Sequence, residues 1–153
     1  MASAEERRAV LEALRQRYGL PAERFNPYEL VLHGRNIWMV RRSPHLAAAL
    51  DLAPHTVGLR LATRTNIGLK PSTHAIQIFG RWATRNVARL SRAEALSFLN
   101  GQDIARKFEV EPGFVIVACE NEPIGCGLYK GTGVLKSLVP KRVRQFAPDS
   151  PET

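Results

Sequence analysis

The pattern of apolar and polar positions predicts short helices and strands along the first half of the chain. Apolar residues recur at helical spacing over residues 9–18, behind a capping box at Ser3 and Glu6 and ahead of Gly19, so a helix is predicted there. Two apolar runs on either side of residues 33–36 predict a β-hairpin. A short helix over residues 43–50 and a strand over residues 57–62 complete a small α/β unit.

The second half is organised around an apolar hairpin within residues 113–140. Residues 114–119 are apolar, rich in β-branched side chains and too few for an ordinary helix, so they predict a strand buried on both faces. A turn centred on Asn121 and Glu122 would place Cys119 opposite Ile124. The return strand, residues 124–129, carries two glycines on one face, which predicts a close approach of another backbone, a helix or a ligand.

Capping signals place two more helices before this hairpin. Ser72 or Thr73 can cap a helix that ends at Gly80, and a capping box at Ser91 and Glu94 begins another. Residues 84–90 predict a strand between them, and residues 104–111 are mixed, typical of a strand with a loop. Trp38 and Met39 are interpreted as core residues.

The composition of residues 66–71 predicts a boundary between two units. Gly68 and Pro71 interrupt this stretch, and the residue before a proline avoids the helical conformation. We therefore predict one unit over residues 1–70, a second over 71–147 and a frayed tail over 148–153. The fold class expected is α+β.

The distribution of charge along the chain indicates what the protein binds. The 153 residues carry a net charge of +8, and no acidic residue lies between Asp51 and Glu94 or between Pro123 and Pro148. Two long one-sided runs of lysine and arginine predict binding to a polyanion, although a merely solvated surface is the alternative. The arginines on the polar side of the first helix are interpreted as solvated: Arg7, Arg8, Arg15 and Arg17.

Catalytic and metal-binding patterns are missing from the sequence. The four histidines are scattered, no pair of ligands has zinc spacing, and no phosphate-binding or nucleophile motif occurs. Two cysteines make no disulfide framework, which fits a reducing cytoplasm. With no apolar stretch long enough for a membrane span and no apolar leader, we expect a cytoplasmic protein that is not an enzyme and needs no cofactor or metal.

Several short motifs in a fixed order resemble a known family. They are residues 68–73 (GLKPST), 77–80 (QIFG), 83–87 (ATRNV), 90–91, 94–95, 98–99, 113–117 (GFVIV), 123–127 (PIGCG) and 135–140 (LKSLVP). This order is similar to the PUA domain, an RNA-binding module named for pseudouridine synthases and archaeosine transglycosylases. The closer resemblance is to the PUA-like C-terminal module of the Nol/Nop/Sun ribosomal RNA 5-methylcytosine methyltransferases and to free-standing ribosome-biogenesis proteins.

The resemblance implies a small α/β pre-PUA unit followed by a PUA-like β-barrel with short helices. It also implies RNA binding next to the glycine-rich loop and first helix of the module. Carried onto this sequence, the implied RNA-binding residues are Lys70, Arg81, Arg85, Lys130, Lys136, Lys141 and Arg142. The cofactor loop and the two catalytic cysteines of such methyltransferases are not found in this sequence, so methyl transfer by this chain is not expected.

Three functions remain open at this point. The first is a non-catalytic protein that binds structured rRNA or tRNA in ribosome biogenesis or RNA modification. The second is an accessory subunit that positions RNA for a separate methyltransferase or pseudouridine synthase, and the third is a protein-interaction factor in ribosome assembly. Tyr129 and Trp82 could stack on an unpaired base or belong to the core, and Gly125 and Gly127 could admit an RNA backbone or serve packing.

Overall fold

The computed structural model describes residues 1–52 and 58–140. Helix α1, Ala4–Tyr18, begins at a complete Ser3–Glu6 capping box and ends at Gly19, whose φ of 71° is left-handed. The other helices are α2, Leu46–Leu52, α3, Thr73–Phe79, and α4, Arg92–Leu99. The caps predicted at Ser72 and Ser91 are confirmed.

The first sheet has four antiparallel strands in sequence order. They are β1, Tyr28–His33, β2, Asn36–Arg41, β3, Leu59–Thr65, and β4, Gly68–Pro71. The hairpin predicted around residues 33–36 is confirmed, with His33 paired to Asn36. The segment 66–71 is not a simple connector, because β4 pairs with β3 along its whole length. The predicted unit boundary at 70/71 stays a prediction.

The second sheet has the order β5-β6-β7-β8. Its strands are β5, Val87–Leu90, β6, Gly113–Cys119, β7, Glu122–Tyr129, and β8, Leu135–Ser137. Strand β5 runs parallel to β6, and the other pairs are antiparallel. Residues 104–111 form no strand of their own; Ile104 makes a single bridge to Leu135.

The turn between β6 and β7 differs from the predicted one. Cys119 pairs with Glu122 rather than with Ile124, and the register shifts between Val117 and Ala118. The physical reason is that Glu120 adopts a φ of 55°, so that two residues suffice for the turn. A bulge then absorbs the extra residue in the return strand.

Two clusters of buried side chains form the interior. The larger one joins α1, the first sheet and α3 to one face of the second sheet, through Ile116 and Cys126. The smaller one lies on the other face, where Phe98 of α4 packs with Val117 and Leu135. Strand β6 contributes to both, as a strand buried on both faces must. The α+β class is confirmed.

Among the described residues, no helix is long and apolar enough to cross a membrane.

Candidate functional site

A groove runs between the first sheet and the beginning of α3, and we call it the basic groove. It consists of two adjoining depressions that share Arg60, Ser72, Thr73 and Pro140. The remaining side chains that line it are those of Trp38, Leu59, Thr63, Lys70, Pro71, His74, Cys126 and Leu138. Residues from both halves of the chain therefore form its walls.

Strand pairing fixes the position of the two principal cations of the groove. Arg60 lies near the start of β3, opposite Trp38 of β2, while Lys70 of β4 lies opposite Thr63 of β3. Ser72 lies between β4 and α3. Its hydroxyl donates to the carbonyl of Arg60 and accepts from the backbone N–H of Ala75. These bonds hold the chain in one conformation where it enters α3.

The groove is positive, and its charge is not neutralised by its own lining. No aspartate or glutamate is among its lining residues. Within the described ranges, the side chains of Arg60, Lys70 and His74 make no ion pair and donate no hydrogen bond. Their donors are therefore available to an external anion such as a phosphate.

Cys126 lines the same depression as Lys70, and we expect its thiol to be unreactive. Burial raises the pKa of the Cys126 thiol to about 12, and the nearby charge of Lys70 offsets only part of this rise. A thiol with such a pKa is protonated at neutral pH and is a poor nucleophile. Neither cysteine forms a disulfide.

Lys136 lies on the same side of the second sheet as Lys70. Cys126 and Leu128 are two residues apart on β7 and both pack toward the larger cluster, so they share one face. Lys136 is paired directly with Leu128 and is exposed. The sheet thus presents Lys136 on the face that carries Cys126, where Lys70 also lies.

Arg81 belongs to a different surface, after the end of α3. Its guanidinium carbon is 5.0 Å from the centre of the Trp82 ring, and that of Arg24 is 4.3 Å from the same ring. Both distances are within the range of cation–π attraction. Both arginines are exposed, and Trp82 is half-buried.

The other predicted site residues are placed less favourably or are not described. Arg85 forms an ion pair with Glu111 at 3.3 Å, so its charge is already partly compensated. Lys130 is exposed beside the turn closed by its N–H bond to Val134, whose Gly131 and Gly133 have φ values of 80° and 87°. Lys141 and Arg142 lie outside the described residues.

The burial of Tyr129, Gly125 and Gly127 shows whether these residues can contact RNA. Gly125 and Gly127 are buried, and a Cβ at Gly127 would lie 2.8 Å from Leu135 and 3.0 Å from Val117. Burial keeps a ligand from both glycines. Gly127 is required by packing, whereas a Cβ at Gly125 would make an ordinary contact, 3.6 Å from Val139. Tyr129 is also buried, and its hydroxyl accepts from the N–H of Phe108, so it cannot stack on a base.

The expectation that all four α1 arginines are solvated is wrong for two of them. Arg7 donates to the carbonyls of Phe25 and Tyr28, and Arg17 donates to those of Glu111 and Phe114. These acceptors lie far along the chain, so no local pattern indicates them.

Sequence reasoning missed Arg60, Trp38 and His74 as members of the site. Arg60 belongs to the acid-free run that predicted polyanion binding, so charge could have included it. Trp38 was interpreted as core, yet it lies between the buried Ile37 and Met39 and is only half-buried. Side chains of a strand point alternately to its two faces, but residues 37–40 are all apolar, so the sequence carries no signal that Trp38 lies on the face opposite Ile37 and Met39.

One segment of the chain matches a known protein family. Residues 85–145 match the family model described as "Methyltransferase RsmF PUA domain". This segment is similar to the PUA domain of that methyltransferase family. The matched segment contains α4 and the whole of the second sheet, whereas Arg60 and Lys70 precede it.

A curated relative extends the similarity beyond that segment. The chain is 30% identical over 117 residues to "Ribosomal RNA small subunit methyltransferase F" of Aeromonas salmonicida (strain A449). The alignment covers 74% of this chain and 24% of the relative, so the chain spans about a quarter of that protein's length. A crystal structure of a PUA domain from Aeropyrum pernix K1, in complex with tartrate, is 15% identical, with a TM-score of 0.46 over 94% of this chain and 77% of that one.

Proposed function

We propose that this chain is a PUA-domain protein that binds structured RNA and catalyses no reaction on it. The observation that carries the proposal is the basic groove, whose cations have no acidic partner among residues 1–52 and 58–140 and which adjoins the segment that matches the PUA family. PUA domains are RNA-binding modules, and an uncompensated positive groove is the electrostatic footprint of a phosphate-binding surface.

Contacts with phosphate explain how such a groove would act. Arg60, Lys70 and Lys136 would bind backbone phosphates and set the position of the RNA without reading its sequence. Arg81, at the other end of α3, would extend the contact surface. Lys141 and Arg142 follow Pro140 directly in sequence, and we propose that they add to the same phosphate-binding surface.

The role we propose is in ribosome biogenesis or RNA modification, in the cytoplasm. The second candidate is an accessory subunit that presents RNA to a separate modifying enzyme, and the specific observation in its favour is the ribosomal RNA methyltransferase relative. Co-purification of the chain with a methyltransferase, with no turnover by the chain alone, would favour that candidate.

The experiment that tests RNA binding is a salt titration. Labelled, folded fragments of rRNA and DNA duplexes of equal length are titrated with the protein at two salt concentrations. Four to six phosphate contacts predict that log K falls with log salt at a slope of about −3 to −5. We expect tighter binding to folded RNA than to DNA.

Weak binding that is the same for RNA and DNA would contradict the proposal. In that case, a nuclease-treated cell extract provides the next measurement. A partner protein that is retained after RNA removal would indicate the third function, in which the basic face contacts an acidic assembly protein.

A further inference from the structure

Trp38 is an aromatic residue on the outer face of the first sheet. Its neighbours Ile37 and Met39 are buried in the larger cluster, and successive side chains of a strand point to opposite faces. The strands pair Trp38 with Val31 on one side and with Arg60 on the other. Its indole N–H has no hydrogen-bond partner among residues 1–52 and 58–140.

This tryptophan forms one wall of the basic groove. Arg60, His74 and Pro140 line the same depression as Trp38, and Lys70 lines the adjoining one. A half-buried aromatic ring therefore stands beside Arg60 and Lys70, and no carboxylate is among the residues that line the two depressions. A ligand that matches this arrangement is flat and apolar on one side and carries negative charge on the other.

We propose that this depression binds one unpaired nucleotide of the RNA. The base packs against the Trp38 ring, and the phosphates on either side of it contact Arg60 and Lys70. This inference rests on the proposed function and deepens it, because it states which feature of a structured RNA is recognised. That feature is a nucleotide that is not base-paired, next to a folded region.

The physical reason for an unpaired nucleotide is access. Bases inside an A-form helix are stacked on one another, so their flat faces cannot reach a protein ring. A bulged or terminal base has a free face, and stacking on an aromatic side chain is tolerant of base identity. The groove should therefore prefer RNA with an unpaired nucleotide, whatever its sequence.

The experiment uses two RNA hairpins with the same number of nucleotides. One has a fully paired stem, and the other has a single bulged 2-aminopurine. We expect the full chain to bind the bulged hairpin about tenfold more tightly, since loss of one stacked base weakens binding by roughly 5- to 150-fold. Fluorescence of the 2-aminopurine should fall on binding.

Trp38→Ala should abolish this preference and leave the affinity for the paired hairpin and the salt slope unchanged. Trp82→Ala is the matched control, because Trp82 is the other tryptophan and lies over Arg24 and Arg81. This control variant should keep the preference.

A second measurement covers the case in which Trp38→Ala does not fold. In the Trp82→Phe protein, Trp38 is the single source of indole fluorescence. The bulged hairpin should quench this fluorescence more than the paired one at equal saturation. Equal affinity and equal quenching for both hairpins would overturn this inference alone, whereas binding to neither RNA would overturn the proposed function as well.

Discussion

Two regions of the molecule use positive side chains in opposite ways. Near the end of α1, Arg17 and Arg85 both form ion pairs with Glu111, and Arg17 also donates to backbone carbonyls. In the basic groove, Arg60 and Lys70 have no such partners within the described part of the chain. The two regions therefore differ in the partners of their cations, and the number of arginines in a stretch does not show this difference.

Asn86 is the centre of the structural region. It is 8% exposed and has a φ of 56°. Its side-chain amide donates to the carbonyl of Arg17 at 2.7 Å, and its side-chain oxygen accepts from the N–H of Glu111 at 2.8 Å. One residue thereby ties α1, the start of β5 and the segment before β6 together.

The largest effect on stability is expected from Asn86→Ala, which removes the side-chain hydrogen bonds of the structural region. The change removes the partner of two partly buried backbone groups, the carbonyl of Arg17 and the N–H of Glu111. It also places alanine, which has no side-chain hydrogen bond to offer, at a positive φ. We expect the free energy of unfolding in denaturant to fall by about 3 kcal/mol. Asn86→Gly, which accepts positive φ, should lose about 1 kcal/mol less; equal losses would mean that backbone conformation plays no part.

Arg60→Gln tests the proposed role of the basic groove in RNA binding. Its expected effect is smaller. Loss of one phosphate contact should weaken binding of folded RNA about fivefold and reduce the salt slope by about 0.7 to 0.9. Because Arg60 is exposed and has no ion-pair partner in the described part of the chain, the stability should change by less than about 0.5 kcal/mol. Both affinity and unfolding are measured on the same preparation.

Arg8→Gln is the matched control for that variant. Arg8 is an exposed arginine on α1, outside the groove, and its replacement removes the same net charge. The control should leave RNA affinity almost unchanged. An equal loss in both variants would show that overall charge, rather than the groove, determines binding.

The smallest effect concerns the ion pair between Arg106 and Glu94, at 2.8 Å. The Arg106 hydrogen bond, with those of Ser91, lowers the pKa of Glu94 below its usual value of 4.5. A lowered pKa in the folded state means that the stabilisation is complete above about pH 4.5 and disappears as the pH falls through the folded pKa. Glu94→Gln keeps the capping box and should lower stability by about 0.5 kcal/mol at pH 7.

The pH dependence distinguishes this pair from a simple packing effect. The difference in unfolding free energy between the wild type and Glu94→Gln should shrink between pH 5 and pH 3. A difference that is constant over this range would show that the charge of Glu94 contributes nothing. RNA affinity at pH 7 should be the same in both proteins, because this pair lies outside the groove.

Local signals predicted the elements of this fold accurately. The capping boxes at Ser3 and Ser91, the end of α1 at Gly19 and the β1–β2 turn all involve residues a few positions apart. Such bonds form between neighbours in sequence, so the residue types reveal them. The β6–β7 register was not predicted, because it depends on the positive φ of Glu120 and on a bulge.

The candidate site was predicted only in part. Acid-free runs indicated polyanion binding. Lys70, predicted to bind RNA, lines the groove, and its role in binding stays a prediction. Arg60 and Trp38 were not predicted as site residues, because strand pairing brings them beside Lys70 and Pro140. Lys136 was assigned from resemblance, and only the pairing of β7 with β8 shows which face it occupies.

The sequence by itself therefore determined the helices, most strands, the buried β6 strand and the excess of positive charge. Only the tertiary structure decided which arginines are neutralised, because the partners of Arg17 lie 94 and 97 residues away. The same holds for the groove, whose walls come from β2, β3, β4 and the segment after β8. Hydrogen bonds and ion pairs form between groups that are a few ångströms apart in space. The number of residues between two groups in the sequence does not show whether they come that close.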